Sequence, residues 1–372
     1  LNGLIVLDEI TTQFEYDLLG QMTKTTNPLG LETTYAYDWF GRAYTENHPD
    51  RGVTSSNFDK AGNVIQITTA NATVNMTYDY NRLKTKSYPS TPSINSVTYT
   101  YGAAGDGKNG AGRVTNVLQG NNVVQEFYKY DELGQVSSEN KTIAIPLVGE
   151  MKFVTTYNYD SWGRIKNMAY PDGENVRYTY AQAGGELESV SSFDLATQTS
   201  LLDYVSHIGY DGYGNQQYLR YGNEVVTEKD YSPFNRAMNL VEITSPHSTG
   251  TPDLLNKTIT YQSNGNIKEI ENTAPSFGQG WNNLGGTYKN TYTYDYANRL
   301  ATSLHKYDGQ SGVSNAATYD LTMTYNVAGG ITSKTQSVTG NGQDPNMAYT
   351  LTYDYLKQNN NNNKDKHRLN NI

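Results

Sequence analysis

A chain of 372 residues with 33 tyrosines, no cysteine and a formal net charge of −9 excludes a disulfide-stapled scaffold and thiolate metal sites. Its acidity, with no basic cluster, argues against a nucleic-acid partner. Only 36% of the residues are hydrophobic. No stretch is apolar over the length of a membrane helix, and residues 1–10, with Asp8 and Glu9, are too short and too acidic for a signal peptide.

One phrase recurs along the whole chain: an aromatic residue, Asp, two free positions, Gly, then Arg, Gln or Asn. The first copies are Tyr16-Asp17-Leu18-Leu19-Gly20-Gln21, Tyr37-Asp38-Trp39-Phe40-Gly41-Arg42 and Phe58-Asp59-Lys60-Ala61-Gly62-Asn63. Later ones are Tyr130-Asp131-Glu132-Leu133-Gly134-Gln135, Tyr159-Asp160-Ser161-Trp162-Gly163-Arg164 and Tyr210-Asp211-Gly212-Tyr213-Gly214-Asn215. With Tyr78, Tyr101, Tyr180, Tyr231, Tyr261, Tyr294, Tyr325 and Tyr353 there are about fourteen anchors, and no stretch is left for a separate domain. Such self-similarity marks units too small to bury a core alone, which must stack on their neighbours. The expectation is one repeat array over 1–372.

Two residues before most anchors stands another apolar or aromatic side chain, as at Phe14, Tyr35, Met76, Tyr99, Tyr157 and Tyr292, while threonines fill the alternate positions. Period-two alternation predicts a strand ending at each anchor, with one buried and one Thr-rich face. The Asp and Gly of the phrase predict a tight reversal. Alternation then resumes, as in Val64 to Ile67, until a second reversal such as Pro28-Leu29-Gly30, Pro49-Asp50-Arg51-Gly52 or Pro171-Asp172-Gly173. Each repeat therefore reads as a β-hairpin of strands roughly seven residues long, and the fold class as all-β, with hairpins paired laterally into one long antiparallel sheet.

Extra residues fall mainly at the second reversal. Two copies instead expand the anchor turn, Tyr101 to Arg113 through a Gly-rich insert and Tyr353-Asp354-Tyr355 to His367-Arg368-Leu369 through an Asn-rich one.

The tandem phrase with its Thr- and Tyr-rich strands resembles the RHS or YD-repeat family over essentially the whole chain. That family includes bacterial polymorphic toxins, insecticidal toxin-complex subunits and animal teneurins. The resemblance implies a curved or spiralling β-sheet shell that encloses a C-terminal toxin in bacterial members, is not itself an enzyme, and is secreted or displayed on the cell surface. Partners would be the remainder of a longer chain, including a C-terminal toxin cargo. Several copies depart from the phrase by lacking Asp, as at Tyr101-Gly102 and Tyr325-Asn326, and no self-cleaving closing core precedes Ile372. The array begins within a repeat and lacks a polar cap at either end, which reads as truncation at both ends.

The candidate residues are first the turn set itself: Tyr16, Asp17, Gly20, Tyr37, Asp38, Gly41, Arg42, Tyr130, Asp131, Gly134, Tyr159, Asp160, Gly163, Arg164, Tyr210, Asp211 and Gly214, with a structural role. One carboxylate per turn lacks the clustered oxygens calcium requires. Asp106-Gly107-Lys108-Asn109-Gly110 places a lysine where a calcium ligand belongs. The arginine slot accepts Gln and Asn, which suggests stacking on a neighbouring ring or bonding a turn carbonyl. His48, His207, His247, His305 and His367 accompany no HExxH and no nucleophile elbow. Neither a cofactor nor catalysis is therefore expected. Trp39, Trp162 and Trp281 are candidate stacking platforms for glycans, which leaves a carbohydrate- or protein-binding adhesin as the alternative. Packing of Trp39 and Trp162 onto the adjacent turn is the competing expectation.

Overall fold

The computed structural model describes residues 10–91, 95–107, 109–120, 123–182, 184–232, 239–246, 253–277, 284–309, 316–340 and 345–353. Among the described residues the named elements are β-strands and a 3-10 turn at Pro345–Met347, and 27 strands are assigned to one antiparallel sheet. The chain divides into two compact units between Val176 and Arg177.

In the first unit the strands Gln13–Tyr16, Met22–Thr26, Glu32–Tyr37, Ala43–His48, Gly52–Phe58, Val64–Thr68, Thr73–Asp79, Arg82–Ser87 and Val97–Tyr101 each pair antiparallel with the next in sequence. The ladder continues through Val114–Gln119, Val124–Tyr130, Val136–Ile145, Gly149–Tyr159 and Ile165–Ala169. Strictly sequential pairing puts every anchor turn of this unit on one edge and every second reversal on the other. The second unit repeats the scheme from Leu187–Phe193 to Ile331–Gly340 and Tyr349–Thr352.

A β-bulge accompanies the anchor turns. Glu15 faces Lys24 but Tyr16 faces Met22, so Thr23 is the extra residue. The same slip falls at Ala36/Tyr37, Asn57/Phe58, Lys129/Tyr130, Asn158/Tyr159, Gly209/Tyr210, Thr293/Tyr294 and Thr324/Tyr325. A bulge strengthens twist and interrupts the ladder locally. Its unpaired groups must find other partners.

The extra residues between Gln135 and Tyr159 fall toward the second reversal, as expected, and there they lengthen the strands, Val136–Ile145 and Gly149–Tyr159 staying in register from Ser138/Thr156 to Ile145/Gly149. Continued pairing satisfies backbone groups that a loop would expose. The expectation of one buried face does need correction. Among the described residues only Leu31, Val176, Phe193, Ile208, Ala274 and Ala317 form a buried apolar set, and no large side chain is fully buried. Most strand positions are half-buried, so the packed area comes from tyrosine rings with wetted or bonded tips.

Candidate functional site

The anchor turn is the unit from which the edge is built. In Tyr37–Arg42 the Asp38 N–H donates to the Arg42 carbonyl at 3.0 Å and the Gly41 N–H to the Asp38 carbonyl at 3.0 Å. Asp38 Oδ1 accepts from the backbone N–H of Phe40 at 2.9 Å and of Arg42 at 3.0 Å, while Oδ2 accepts from Arg42 Nε at 2.7 Å. Asp160 repeats this with Trp162 and Arg164, Asp295 with Ala297 and Arg299. Asp17, Asp131 and Asp211 hold the same pair of backbone donors. Gly20, Gly41, Gly134, Gly163 and Gly214 close these turns at positive φ, the conformation open to glycine without strain. Tyr78–Arg82 is shorter, with Tyr80 and Asn81 both at positive φ, as a two-residue hairpin turn requires.

The slot after the glycine reaches the following turn. The Arg42 guanidinium lies 4.3 Å from the Phe58 ring centre, Arg82 4.8 Å from that of Tyr101, and Arg299 4.7 Å from that of Tyr325. Arg299 Nη1 also donates to the Asn326 carbonyl at 2.9 Å. Where the slot is uncharged an amide serves: Gln135 Nε2 donates to the Gly163 carbonyl at 3.1 Å, and Asn63 Nδ2 to Asn81 Oδ1 at 2.9 Å. Reach and a donor, rather than charge, are what the position supplies, which explains its tolerance.

The anchor hydroxyls make the third link. Tyr37 donates to the Met22 carbonyl at 2.8 Å, Tyr78 to that of Val64 at 2.9 Å and Tyr101 to that of Leu83 at 2.9 Å. Tyr130 bonds the carbonyl of Val114, Tyr159 that of Val136, Tyr210 that of Leu187, Tyr231 that of Gln216, Tyr261 that of Leu240, Tyr294 that of Ile267 and Tyr325 that of Leu300. The acceptor opens the outgoing strand of the preceding hairpin, as its first residue, or as its second at Leu83 in the shorter turn Tyr78–Arg82. The sequence reading missed this link, although a signal was present: thirteen of the fourteen anchors are Tyr and one is Phe.

Electrostatics follow from these bonds. The Arg42 side chain holds the Asp38 carboxyl below the usual range against desolvation, Arg164 does so for Asp160, and the Asn63 and Asn215 amides do so for Asp59 and Asp211. Burial pushes the hydroxyls of Tyr130, Tyr159, Tyr210 and Tyr325 up. These carboxylates are engaged within their own turns. Among the described residues no group of three or more His, Cys, Asp or Glu could hold a metal ion.

Of the tryptophans, Trp39 is fully exposed, which corrects the expectation that it packs on the adjacent turn; its position at the free corner aims it into solvent. Trp162 is 68% exposed and its ring meets Arg164 of its own turn, 4.7 Å from the ring centre. Trp281 lies outside the described residues. Leu18, Leu19, Phe40, Tyr80, Leu133 and Tyr213 are exposed at equivalent corners.

No protein-family model and no curated protein matches this chain. Solved structures do. A TcdB2-TccC3-Cdc42 crystal structure matches with a TM-score of 0.77 at 20% identity, over 92% of this chain and 18% of that one. The Photorhabdus luminescens Tc holotoxin pore matches with a TM-score of 0.76 at 20% identity, over 93% and 18%. A TcdB2-TccC3 crystal structure gives 0.76 at 19% identity, over 92% and 18%. The chain thus spans less than a fifth of the solved chains it resembles. At this identity the likeness establishes architecture, and over nine-tenths of its length the chain has the all-β fold found in these toxin-complex structures, as the RHS or YD-repeat phrase leads one to expect.

Proposed function

We propose that this array is a non-catalytic wall segment of an RHS-type shell, enclosing or presenting a toxin or other effector within a larger secreted or surface-displayed bacterial protein. The observation that carries the reading is the stitching of successive hairpins: turn carboxylate to slot residue, slot residue to the next ring, and ring hydroxyl back to the preceding strand. Such links hold neighbouring repeats at a fixed spacing and leave few unpaired backbone groups, which suits a barrier. The fold shared with toxin-complex structures supports it, as does the engagement of the turn carboxylates in structural bonds. Physical containment is the mechanism, and the partners are the rest of the longer chain and its cargo.

The adhesin alternative needs grouped aromatic platforms, and Trp39 and Trp162 stand in turns many strands apart. Limited proteolysis of the natural-length protein is the test. A segment outside these hairpins should resist protease under native conditions and become cleavable once the array is denatured. Digestion of every other segment under native conditions rejects containment.

A further inference from the structure

The anchor-turn edge of the first unit presents apolar surface that none of the links above uses. Leu18 and Leu19 of one turn and Trp39 and Phe40 of the next are all at least four-fifths exposed. They sit on turns fixed by the Asp17 and Asp38 bonds. An aromatic side chain can bury roughly 150–250 Å². Two aromatics and two leucines on adjoining tips thus exceed the few hundred Å² of contiguous apolar surface that soluble proteins ordinarily expose, and approach the roughly 800 Å² per partner of a stable interface.

Beside these tips lies an open cavity of about 430 Å³, lined by Phe40, Arg42, Asp59, Lys60, Ala61 and Gly62. Phe40 is its apolar wall, and one cation stands over it: the Arg42 guanidinium is 5.1 Å from the Phe40 ring centre and 4.3 Å from that of Phe58 behind it. A hollow of this kind suits an electron-rich ring, which cations attract through its face.

We infer that this edge is a self-complementary interface, at which a second copy of the chain docks with its Trp39 seated in the hollow between Phe40 and Asp59–Gly62. Three features on the edge select a second copy. Knob and hollow lie on neighbouring turns of the same surface, so a two-fold axis satisfies both copies at once. Consecutive turns are two strands apart, about 9.6 Å at the usual strand spacing, and a second row of the same turns has the same pitch. Charge is the third feature: the turns 16–21, 37–42 and 58–63 carry Asp17, Asp38 and Asp59 against Arg42 and Lys60. The edge is therefore close to neutral on a chain whose net charge of −9 otherwise repels its copies.

Sedimentation velocity of the 372-residue chain across the micromolar range tests this. The expected result is a reversible monomer–dimer equilibrium, weakened more than about tenfold by Trp39→Ser with Phe40→Ser, as befits loss of a central aromatic anchor. Trp162→Ser, at an exposed corner of a distant turn, should leave it unchanged. Both variants alter exposed side chains, so an unchanged far-UV circular dichroism spectrum separates lost docking from lost folding. A chain that stays monomeric throughout overturns the inference. So does a dimer indifferent to the Trp39/Phe40 double change. Binding of monomer to zwitterionic lipid vesicles through the same two residues also overturns it, and assigns the tips to a membrane surface.

Discussion

The Tyr37 hydroxyl donates to the Met22 carbonyl at 2.8 Å, where the ladder has left that carbonyl behind. Pairing of Met22–Thr26 with Glu32–Tyr37 stops at Lys24/Thr34, and the slip at Glu15/Tyr16 disturbs the other side. A phenol is long enough to bridge this gap from one hairpin to the one before it. The bulge and the tyrosine are thus one device: the first twists the strand, and the second satisfies a carbonyl that twisting frees.

Tyr37→Phe removes the hydroxyl and keeps the ring. The expected cost is about 1 kcal/mol, the net worth of one partly buried hydrogen bond. Because repeat arrays open locally, hydrogen exchange is the suitable measurement, and protection should fall in Met22–Thr26 and Glu32–Tyr37 before distant strands. Uniform loss along the chain contradicts a local link.

Phe58 is the converse case. Pairing of Ala43–His48 with Gly52–Phe58 ends at Thr45/Ser55, which leaves the Ala43 carbonyl where Met22 stands one repeat earlier. Phe58→Tyr should stabilise by about 0.5–1 kcal/mol and raise exchange protection around Ala43. Arg42→Lys should destabilise, because the planar guanidinium both bonds Asp38 and covers the Phe58 ring, and an ammonium cannot do the two together.

Two glycines separate conformational strain from crowding. Gly20 has φ +79° and open space where a Cβ would stand, so Gly20→Ala should cost only the left-handed penalty, about 1–2 kcal/mol. Gly134 has φ +83°, and its Cβ would push aside the Arg113 guanidinium of the preceding turn, the flexible end of a side chain that lies 5.7 Å from the Tyr130 ring centre, so Gly134→Ala should cost slightly more, by the loss of that contact. Gly20→Asn should be milder than Gly20→Ala, since Asn298 holds the equivalent place at φ +61°. Denaturant midpoints of the three variants give the order.

How far the sequence discloses this molecule depends on which physical rule each feature obeys. Alternation before Tyr16, Tyr37 and Tyr159 and the Asp and Gly after them follow local rules, so strands, turns and sequential pairing were legible. The one-residue slip at the anchors was not, because only Met22 precedes the extra Thr23 in its strand, and the same holds in other hairpins, too short a run to show the change of phase a bulge brings. Nor was the continued pairing of Val136–Ile145 with Gly149–Tyr159, since Pro146 and Gly149 mark a turn without fixing how far strands run on either side of it. Slot tolerance did point to stacking or carbonyl bonding, and Arg82 over Tyr101 and Arg299 at Asn326 display both. The exposure of Trp39 was out of reach, because nothing local says whether a corner side chain folds back or stands free.

Stability should decline on both flanks of neutral pH, for opposite reasons. Asp38, Asp59, Asp160 and Asp211 titrate lower in the folded chain, chiefly through hydrogen bonds from Arg42, Asn63, Arg164 and Asn215. Groups with depressed values contribute above the unfolded carboxylate value of about 4, and lose that contribution as pH falls through the lower folded value. Urea midpoints should therefore drop steeply below about pH 4. Asp160→Asn should flatten that limb while keeping the turn, because Asn326 naturally holds the N–H groups of Ala328 and Gly330 in the same way. On the alkaline side, burial raises Tyr130, Tyr159, Tyr210, Tyr231, Tyr261 and Tyr325. Their contribution is complete below the unfolded tyrosine value of about 10 and fades as pH climbs through the raised folded values. An ionised phenol also has no proton to donate to the carbonyl of the preceding hairpin. Absorbance of tyrosinate and loss of β-sheet circular dichroism should thus rise together above about pH 10, and ionisation of the anchors with the sheet intact would refute the hydroxyl links.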